Sequence, residues 1–336
     1  MEAEGVRTLM AASDTAVVGI SEVSKKIRNI AKAYFRLKGV LKEVRPSLII
    51  LIDYPEFNLK IATVAKRYGI PVMYYISPQI WAWRPGRVKK IATVVDRMVC
   101  ILPFERDFYG RKGISVDYVG HPLCDIIPPV IQRKRVLESH GLEKKFPIIG
   151  LLPGSRDHEI KTLLPVMLRA AEHLAASYPD IGVILPLAPT ITKGMVEPLI
   201  KNLATPVILS RDNIYGLLSC CNCALIASGT ATLEAAIMGV PMVVAYKVSP
   251  LTFFLAKRLA KVNHICLVNL IAGREVVPEL IQREATSDNM TRHLINILED
   301  EKIRYKMIRD LKEVRYALGG KGASRRAARI AVEMMS

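Results

Sequence analysis

Three short stretches of this 336-residue chain hold residue types at spacings from which chemistry can be built. Ser228-Gly-Thr-Ala-Thr-Leu-Glu234 follows an apolar run ending at Ala227 and opens a helical pattern. Small residues such as Gly229 let a phosphate approach the unpaired N–H groups and the positive dipole end of the helix. Thr230 and Thr232 add hydroxyls, and Glu234, one turn in, can accept from two ribose hydroxyls. Taken alone, the same residues also make an ordinary cap, with Ser228 or Thr230 closing the helix and Glu234 solvated. Pro153-Gly-Ser-Arg156 follows a second apolar run. Gly154 turns the chain, Ser155 and its neighbours offer backbone N–H groups, and Arg156 offers a guanidinium, a set that suits a diphosphate. An ordinary strand-to-helix turn with a surface arginine is the equal alternative for that tetrapeptide alone. The two turns together favour a nucleotide diphosphate. Neither a first-strand G-x-G-x-x-G nor a P-loop lysine motif accompanies them.

A carboxylate, two tryptophans and a histidine complete the candidates. Asp53 closes the apolar run Leu48-Ile-Ile-Leu-Ile52, where a carboxylate could take a proton from a sugar hydroxyl. A turn aspartate before Pro55 is the commoner role for such a residue. Glu56, nearby, reads as a routine helix-start acid. Ser77-Pro-Gln-Ile-Trp-Ala-Trp-Arg84 holds both tryptophans of the chain. Trp81 and Arg84 would suit an acylated or phosphorylated sugar, against a packed loop as the bland reading. His121, in Gly120-His-Pro122, is balanced between a ligand contact and hinge packing.

The elements that must position these residues alternate. Apolar runs at 48–52, 71–76, 98–102 and 116–119 read as buried strands, with helices over 59–68 and 87–95 between them. After a polar, basic stretch the alternation restarts. Strands are expected at 147–152, 182–186, 206–209, 224–227 and 241–246, and helices at 160–177, 214–219 and 230–238. The class is α/β: two Rossmann-like domains with parallel sheets facing across a cleft, ligands lying at the carboxyl ends of the strands. The expected division is a first domain over 1–127, a linker over 128–145, a nucleotide-binding domain over 146–287 and C-terminal helices over 288–336.

Charge narrows the partners. Lys and Arg number 48 against 31 Asp and Glu, a net charge of +17, which favours an anionic partner. Aromatics make up only 6% of the chain, and no aromatic-rich basic platform appears, so no nucleic acid is expected. Val23, Ile27, Ile30, Tyr34, Leu37 and Leu41 recur at helical spacing, beside eight Lys and Arg and a single acid between Lys25 and Arg45. Such a helix can lie on an anionic membrane or pack on its own sheet. Phe253 to Leu259 is a weaker second candidate. The six cysteines read as buried thiols and not as a metal site.

In order along the chain, the segments 52–58, 77–83, Leu102-Pro-Phe-Glu105, Gly120-His-Pro122, Leu152-Pro-Gly-Ser-Arg156, Ala227-Ser-Gly-Thr-Ala231 with Glu234, and Asn269-Leu-Ile-Ala-Gly-Arg-Glu275 resemble the lipid A disaccharide synthases. The glycine-threonine helix start is shared with many GT-B glycosyltransferases. The resemblance implies an inverting, metal-independent hexosyltransferase without cofactor. It would join UDP-2,3-diacylglucosamine to 2,3-diacylglucosamine 1-phosphate (lipid X), releasing UDP. It makes Asp53 the general base and sets Arg156 on the leaving diphosphate. Gly154, Ser155, Ser228, Gly229, Thr230, Glu234 and Asn269 would serve the nucleotide, and Trp81 and Arg84 the substrate. Val23, Ile27 and Ile30 would touch the membrane. A homodimer, peripheral on the inner face of a Gram-negative inner membrane, is expected. The chain departs from the family at Glu56, where Asp is usual. It also opens at what resembles the second helix, without the family's first strand and Gly-Glu-x-Ser-Gly-Asp loop. That predicts an unpaired sheet edge and poor activity. The alternatives are another UDP-GlcNAc transferase or an epimerase of the same fold, or an inactive UDP-sugar-binding remnant.

Overall fold

A computed structural model describes residues 5–9, 23–83, 85–128, 130–259 and 262–336. The first half alternates as α1 (Val23–Val44), β1 (Ile49–Ile52), α2 (Pro55–Arg67), β2 (Val72–Tyr75), α3 (Ile80–Trp83), α4 (Val88–Val94), β3 (Arg97–Cys100), α5 (Pro103–Gly110), β4 (Asp117–Tyr118) and α6 (Leu123–Ile126). Its four strands pair in parallel in the order β1-β2-β3-β4. Pro55 starts α2 where a missing N–H costs nothing, Glu56 lies in its first turn, and Lys66 and Arg67 lie in its last. β1 is the edge of this sheet, and no strand lies beyond it among the described residues. Its Ile50 and Ile52 are 46% and 42% exposed.

The second half runs α7 (Arg133–Ser139), β5 (Ile148–Leu152), α8 (Asp157–Ser177), β6 (Gly182–Pro186), α9 (Lys193–Ile200), β7 (Val207–Ser210), α10 (Ile214–Cys220), β8 (Cys223–Ala227), α11 (Thr230–Met238), β9 (Met242–Tyr246), α12 (Pro250–Leu259), α13 (Leu267–Ala272), β10 (Glu279–Ile281), α14 (Ser287–Glu299), α15 (Glu301–Ala317) and α16 (Ala323–Glu333). Six parallel strands line up as β10-β9-β8-β5-β6-β7. Every residue of β5 and β8 is buried, which explains their unbroken apolar sequences at the centre of the sheet. The polar stretch after 128 is not structureless. Val136 and Leu137 of α7 pack on the buried Leu142, Leu217 and Cys220.

The basic tail divides between the domains. Thr291 of α14 donates to the Ala170 carbonyl of α8 at 3.3 Å. Asp300 caps α15 by accepting from Lys302 N and Ile303 N at 2.8 and 3.1 Å. α16 instead returns to the first domain. Tyr118 Oη donates to the Ala317 carbonyl at 2.6 Å, and His121 N to the Leu318 carbonyl at 2.9 Å. The Asp125 carboxylate accepts from the backbone N–H groups of Gly322 and Ser324. Arg326 Nε donates to the Val119 carbonyl at 2.9 Å. The two crossings touch at Gly120 and Gly319, both in the left-handed region (φ 82°). A Cβ on Gly120 would stand 3.1 Å from the Leu318 carbonyl oxygen, so the close approach itself needs glycine.

Candidate active site

The carboxyl ends of the two sheets face a shared cavity of about 1540 Å³. Gln79, Trp81 and Ala82 line it from the first domain, and Arg156, Ser228, Gly229 and Thr230 from the second. The two glycine-bearing turns, 74 residues apart in sequence between Gly154 and Ser228, thus meet at one site because β5 and β8 are neighbours in the sheet. Gly229 precedes α11 in extended backbone and Thr230 is its first residue, both exposed, leaving the helix start open to an anion. Ser228 N donates to the Ala245 carbonyl at 2.9 Å, and its hydroxyl to the Ile265 carbonyl at 3.3 Å.

The arginine loop is wired differently from the expectation of free backbone donors. Glu159, in the first turn of α8, accepts from Ser155 N at 2.9 Å and Arg156 N at 3.1 Å through one oxygen. Its other oxygen accepts from the Arg156 guanidinium at 2.9 Å. This reciprocal cap consumes the N–H groups that a phosphate would need. What remains for a ligand is the guanidinium, largely exposed in the cavity wall. Gly154 has φ 112°, and the carboxylate of Glu159 lies where its Cβ would be.

Two other expected ligand residues make hydrogen bonds within the protein. Asn269 is fully buried. Its amide oxygen accepts from Val276 N and Val277 N at 2.7 and 3.0 Å, and its nitrogen donates to the Val277 carbonyl and to Glu279 Oε1 at 2.8 and 2.7 Å. Neither Asn269 nor Glu279 is among the cavity-lining residues. Glu234 is half-buried and accepts from Tyr215 Oη at 3.1 Å, and burial raises its carboxyl above the ordinary range. It is not among the cavity-lining residues.

In the first domain, Asp53 stands exposed just past β1, on the carboxyl rim and outside the cavity wall. Its backbone is locked. Tyr74 Oη and Asn58 Nδ2 donate to its carbonyl at 2.6 and 2.7 Å. Asp53, Tyr54 and Ile76 all adopt positive φ (48°, 42° and 66°), a left-handed geometry that costs about 1–3 kcal/mol at each non-glycine residue. That strain sits where the strands deliver side chains to the cleft. Trp81 is buried against Phe104, edge to face at 4.8 Å, and its indole N–H donates to Glu105 at 3.2 Å. Glu56 is held by Arg87 at 2.5 and 3.2 Å. Arg84, and the side chains of Val23 and Ile27, lie outside the described residues. His121 is buried with Nδ1 accepting from Leu123 N at 3.2 Å, and burial lowers it to about 4. It packs the crossing between the domains.

The far wall of the cavity carries none of the sequence motifs. Tyr246 ends β9 and Lys247 and Val248 follow it, Val262 to Ile265 precede α13, and Gln282 to Glu284 follow the short strand β10. Gln282, at φ 54°, clamps Val248 with both ends of its amide, at 2.7 and 3.0 Å. Position was the one signal, since these segments end β9, lead into α13 and follow β10 on one side of the second sheet.

Two parallel α/β domains facing across a cleft lined from both are the architecture of a GT-B glycosyltransferase. Solved structures show the same fold at low identity. A UDP-GlcNAc 2-epimerase from Neisseria meningitidis bound to UDP-GlcNAc superposes with a TM-score of 0.64 at 14% identity, over 92% of this chain and 82% of that one. A calicheamicin glycosyltransferase does so with a TM-score of 0.58 at 14% identity, over 94% and 81%. Sequence takes the assignment further. The profile of the family described as lipid-A-disaccharide synthetase matches residues 1–334. The lipid-A-disaccharide synthase of Geobacter sulfurreducens is 47% identical over all of this chain and 87% of its own length, and that of Nitrosococcus oceani 43% identical over all of this chain and 86% of its own. The chain belongs to the lipid-A-disaccharide synthase family, glycosyltransferases of lipid A biosynthesis.

Proposed function

We propose that the chain transfers 2,3-diacylglucosamine from its UDP donor to 2,3-diacylglucosamine 1-phosphate with inversion at the anomeric carbon. The observation that supports this best is the convergence of Arg156 and the open start of α11 on one cavity whose opposite wall carries Trp81. In this reading the pyrophosphate lies at Gly229 and Thr230, with Arg156 beside it. As the anomeric C–O bond breaks, its electron pair passes to the phosphate oxygen, where the guanidinium and the helix dipole stabilise the charge. The acceptor hydroxyl attacks from the opposite face and gives its proton to the Asp53 carboxylate. Asp53 reaches that hydroxyl when the first domain closes on the second about the Gly120–Gly319 crossing. The reading gives Glu234, Asn269 and Ser155 supporting roles, through Tyr215, Glu279 and Glu159.

The acceptor and donor carry acyl chains, so the reaction is also proposed to occur at an anionic membrane surface. No helix among the described residues is long and apolar enough to cross a membrane. On α1 the stripe is partly used at home, since Leu41 is buried and Tyr34 and Leu37 pack on the first-domain core. Phe35, 66% exposed, lies among exposed Arg28, Lys32 and Arg36, and that face is the one proposed to meet lipid, together with Val23, Ile27 and Ile30.

The test is a transfer assay with diacylated donor and acceptor, read as UDP release. Asp53→Ala is expected to lose about 10²–10⁴-fold in kcat, and Arg156→Ala about 10²–10³-fold. Wild-type rates in both variants would overturn the assignment.

A further inference from the structure

The cavity contains an ionisable pair that the proposed reaction leaves unused. His264 lines it from the segment that leads into α13. Its Nδ1 stands 3.4 Å from Glu279 Oε1, the two side chains being 23% and 9% exposed. Glu279, the first residue of β10, is itself fixed twice more. It accepts from Ile265 N at 2.8 Å and from Asn269 Nδ2 at 2.7 Å. Asn269 cannot swing away, because its oxygen holds Val276 N and Val277 N. On its other side the segment is tied to the phosphate-type turn, where the Ser228 hydroxyl donates to the Ile265 carbonyl at 3.3 Å. The imidazole therefore stands beside a fixed carboxylate, on a segment whose backbone is held, next to Ser228-Gly-Thr230. No described group engages Nε2. The other charged or titratable side chains in the cavity wall are Arg156, His158, Tyr246, Lys247, Arg283 and Glu284.

A carboxylate beside one ring nitrogen orients the ring and directs the second nitrogen toward a ligand. We propose that His264, positioned by Glu279, is a binding residue for the diphosphate of the nucleotide donor, its Nε2–H meeting a phosphate oxygen opposite Arg156. This rests on the nucleotide-donor reading above. His264 transfers no proton. The pair from the broken glycosidic bond stays on the phosphate oxygen, and the N–H stabilises it there, while the acceptor's proton goes to Asp53. Asn269 and Glu279 are positioning residues, which is why neither needs to touch the ligand.

Calorimetric titration of the full chain with UDP and, separately, with uridine tests this without turnover. His264→Ala is expected to weaken UDP binding about 10- to 100-fold, the range for a hydrogen bond to a charged group, and to leave uridine binding unchanged. His264→Arg, which places N–H donors at the same position, restores part of the UDP affinity. Glu279→Gln weakens UDP selectively and less. Equal losses for UDP and uridine would overturn the proposal by moving the ring to the base or ribose. Unchanged UDP affinity in His264→Ala with an unchanged melting temperature would overturn it outright. A wild-type chain that binds neither ligand would sink the nucleotide-donor reading itself, a result distinct from both.

Discussion

Glu105 and Asp310 are both almost completely buried carboxylates, and their surroundings push them in opposite directions. Asp310 meets Arg274 and Lys306 at 3.0 and 2.9 Å, and these cations hold it below the ordinary range despite its burial. Glu105 has no ion pair among the described residues, and burial lifts it to about 7, partly opposed by the N–H groups of Leu102 and Trp81. A carboxyl raised from its unfolded value destabilises the fold once it ionises. The stability present below about pH 4.5 is therefore lost as pH rises through about 7, on the order of 3 kcal/mol. Melting temperature followed from about pH 5 to about pH 8 should fall for wild type through this window, and Glu105→Gln should flatten that fall. An unaltered slope would show that Glu105 does not carry it. Gly154 is the other residue-scale constraint. Gly154→Ala meets both a positive φ and the Glu159 carboxylate, so a loss of about 1–3 kcal/mol is expected in denaturant unfolding.

Among the elements, α16 does what no strand does, since it ties the end of the chain to the domain that begins it. Its N-terminus is closed by Asp125, a residue of the first domain, whose carboxyl is held below the ordinary range by the N–H groups of Gly322 and Ser324. Removing that acceptor should free α16 without disturbing either sheet. Asp125→Ala is expected to cost about 0.5–2 kcal/mol, the usual worth of a helix cap. The loss should appear as faster amide exchange over residues 323–333, while β5 and β8 stay protected. Exchange that rises equally in the second sheet would count against a local role. The sign with pH follows from the depressed carboxyl. The contribution is present above the ordinary aspartate range and lost as pH falls through the folded value.

For the whole molecule, the decisive quantity is charge. A surplus of +17 spreads over a surface that also exposes Phe35 on the basic face of α1. Attraction of this kind to an anionic bilayer is screened within about 10 Å at about 0.1 M salt. Vesicles containing an anionic phospholipid should therefore capture the chain in flotation at low salt and release it at high salt. The double variant Lys32→Glu, Arg36→Glu should bind more weakly at every salt concentration. Capture by neutral vesicles that is equally strong would assign the binding to apolar insertion instead.

The alternation of apolar runs with helical patterns determined the fold by itself. Strands buried on both faces must be continuous and apolar, and β5, β6, β8 and β9 stand within a residue of where that rule puts them. Shorter or amphipathic elements escaped it. β10 has three residues, α5 and α9 have eight each, and α7 lies in the stretch expected to be a linker. The family and the two glycine-bearing turns were legible too, because a turn that must lie at the end of a strand and open a helix is a local demand on a few consecutive residues. What the side chains of those turns do was not. Whether the N–H groups after Gly154 are free depended on Glu159 folding back over them. Asn269, Glu279, Ile265 and Ser228 formed one chain of hydrogen bonds only when the end of β8, α13 and β10 were packed together. Residue type sets which bonds a group can make, but only the tertiary arrangement decides which of them it has already made, and so what is left over for a ligand.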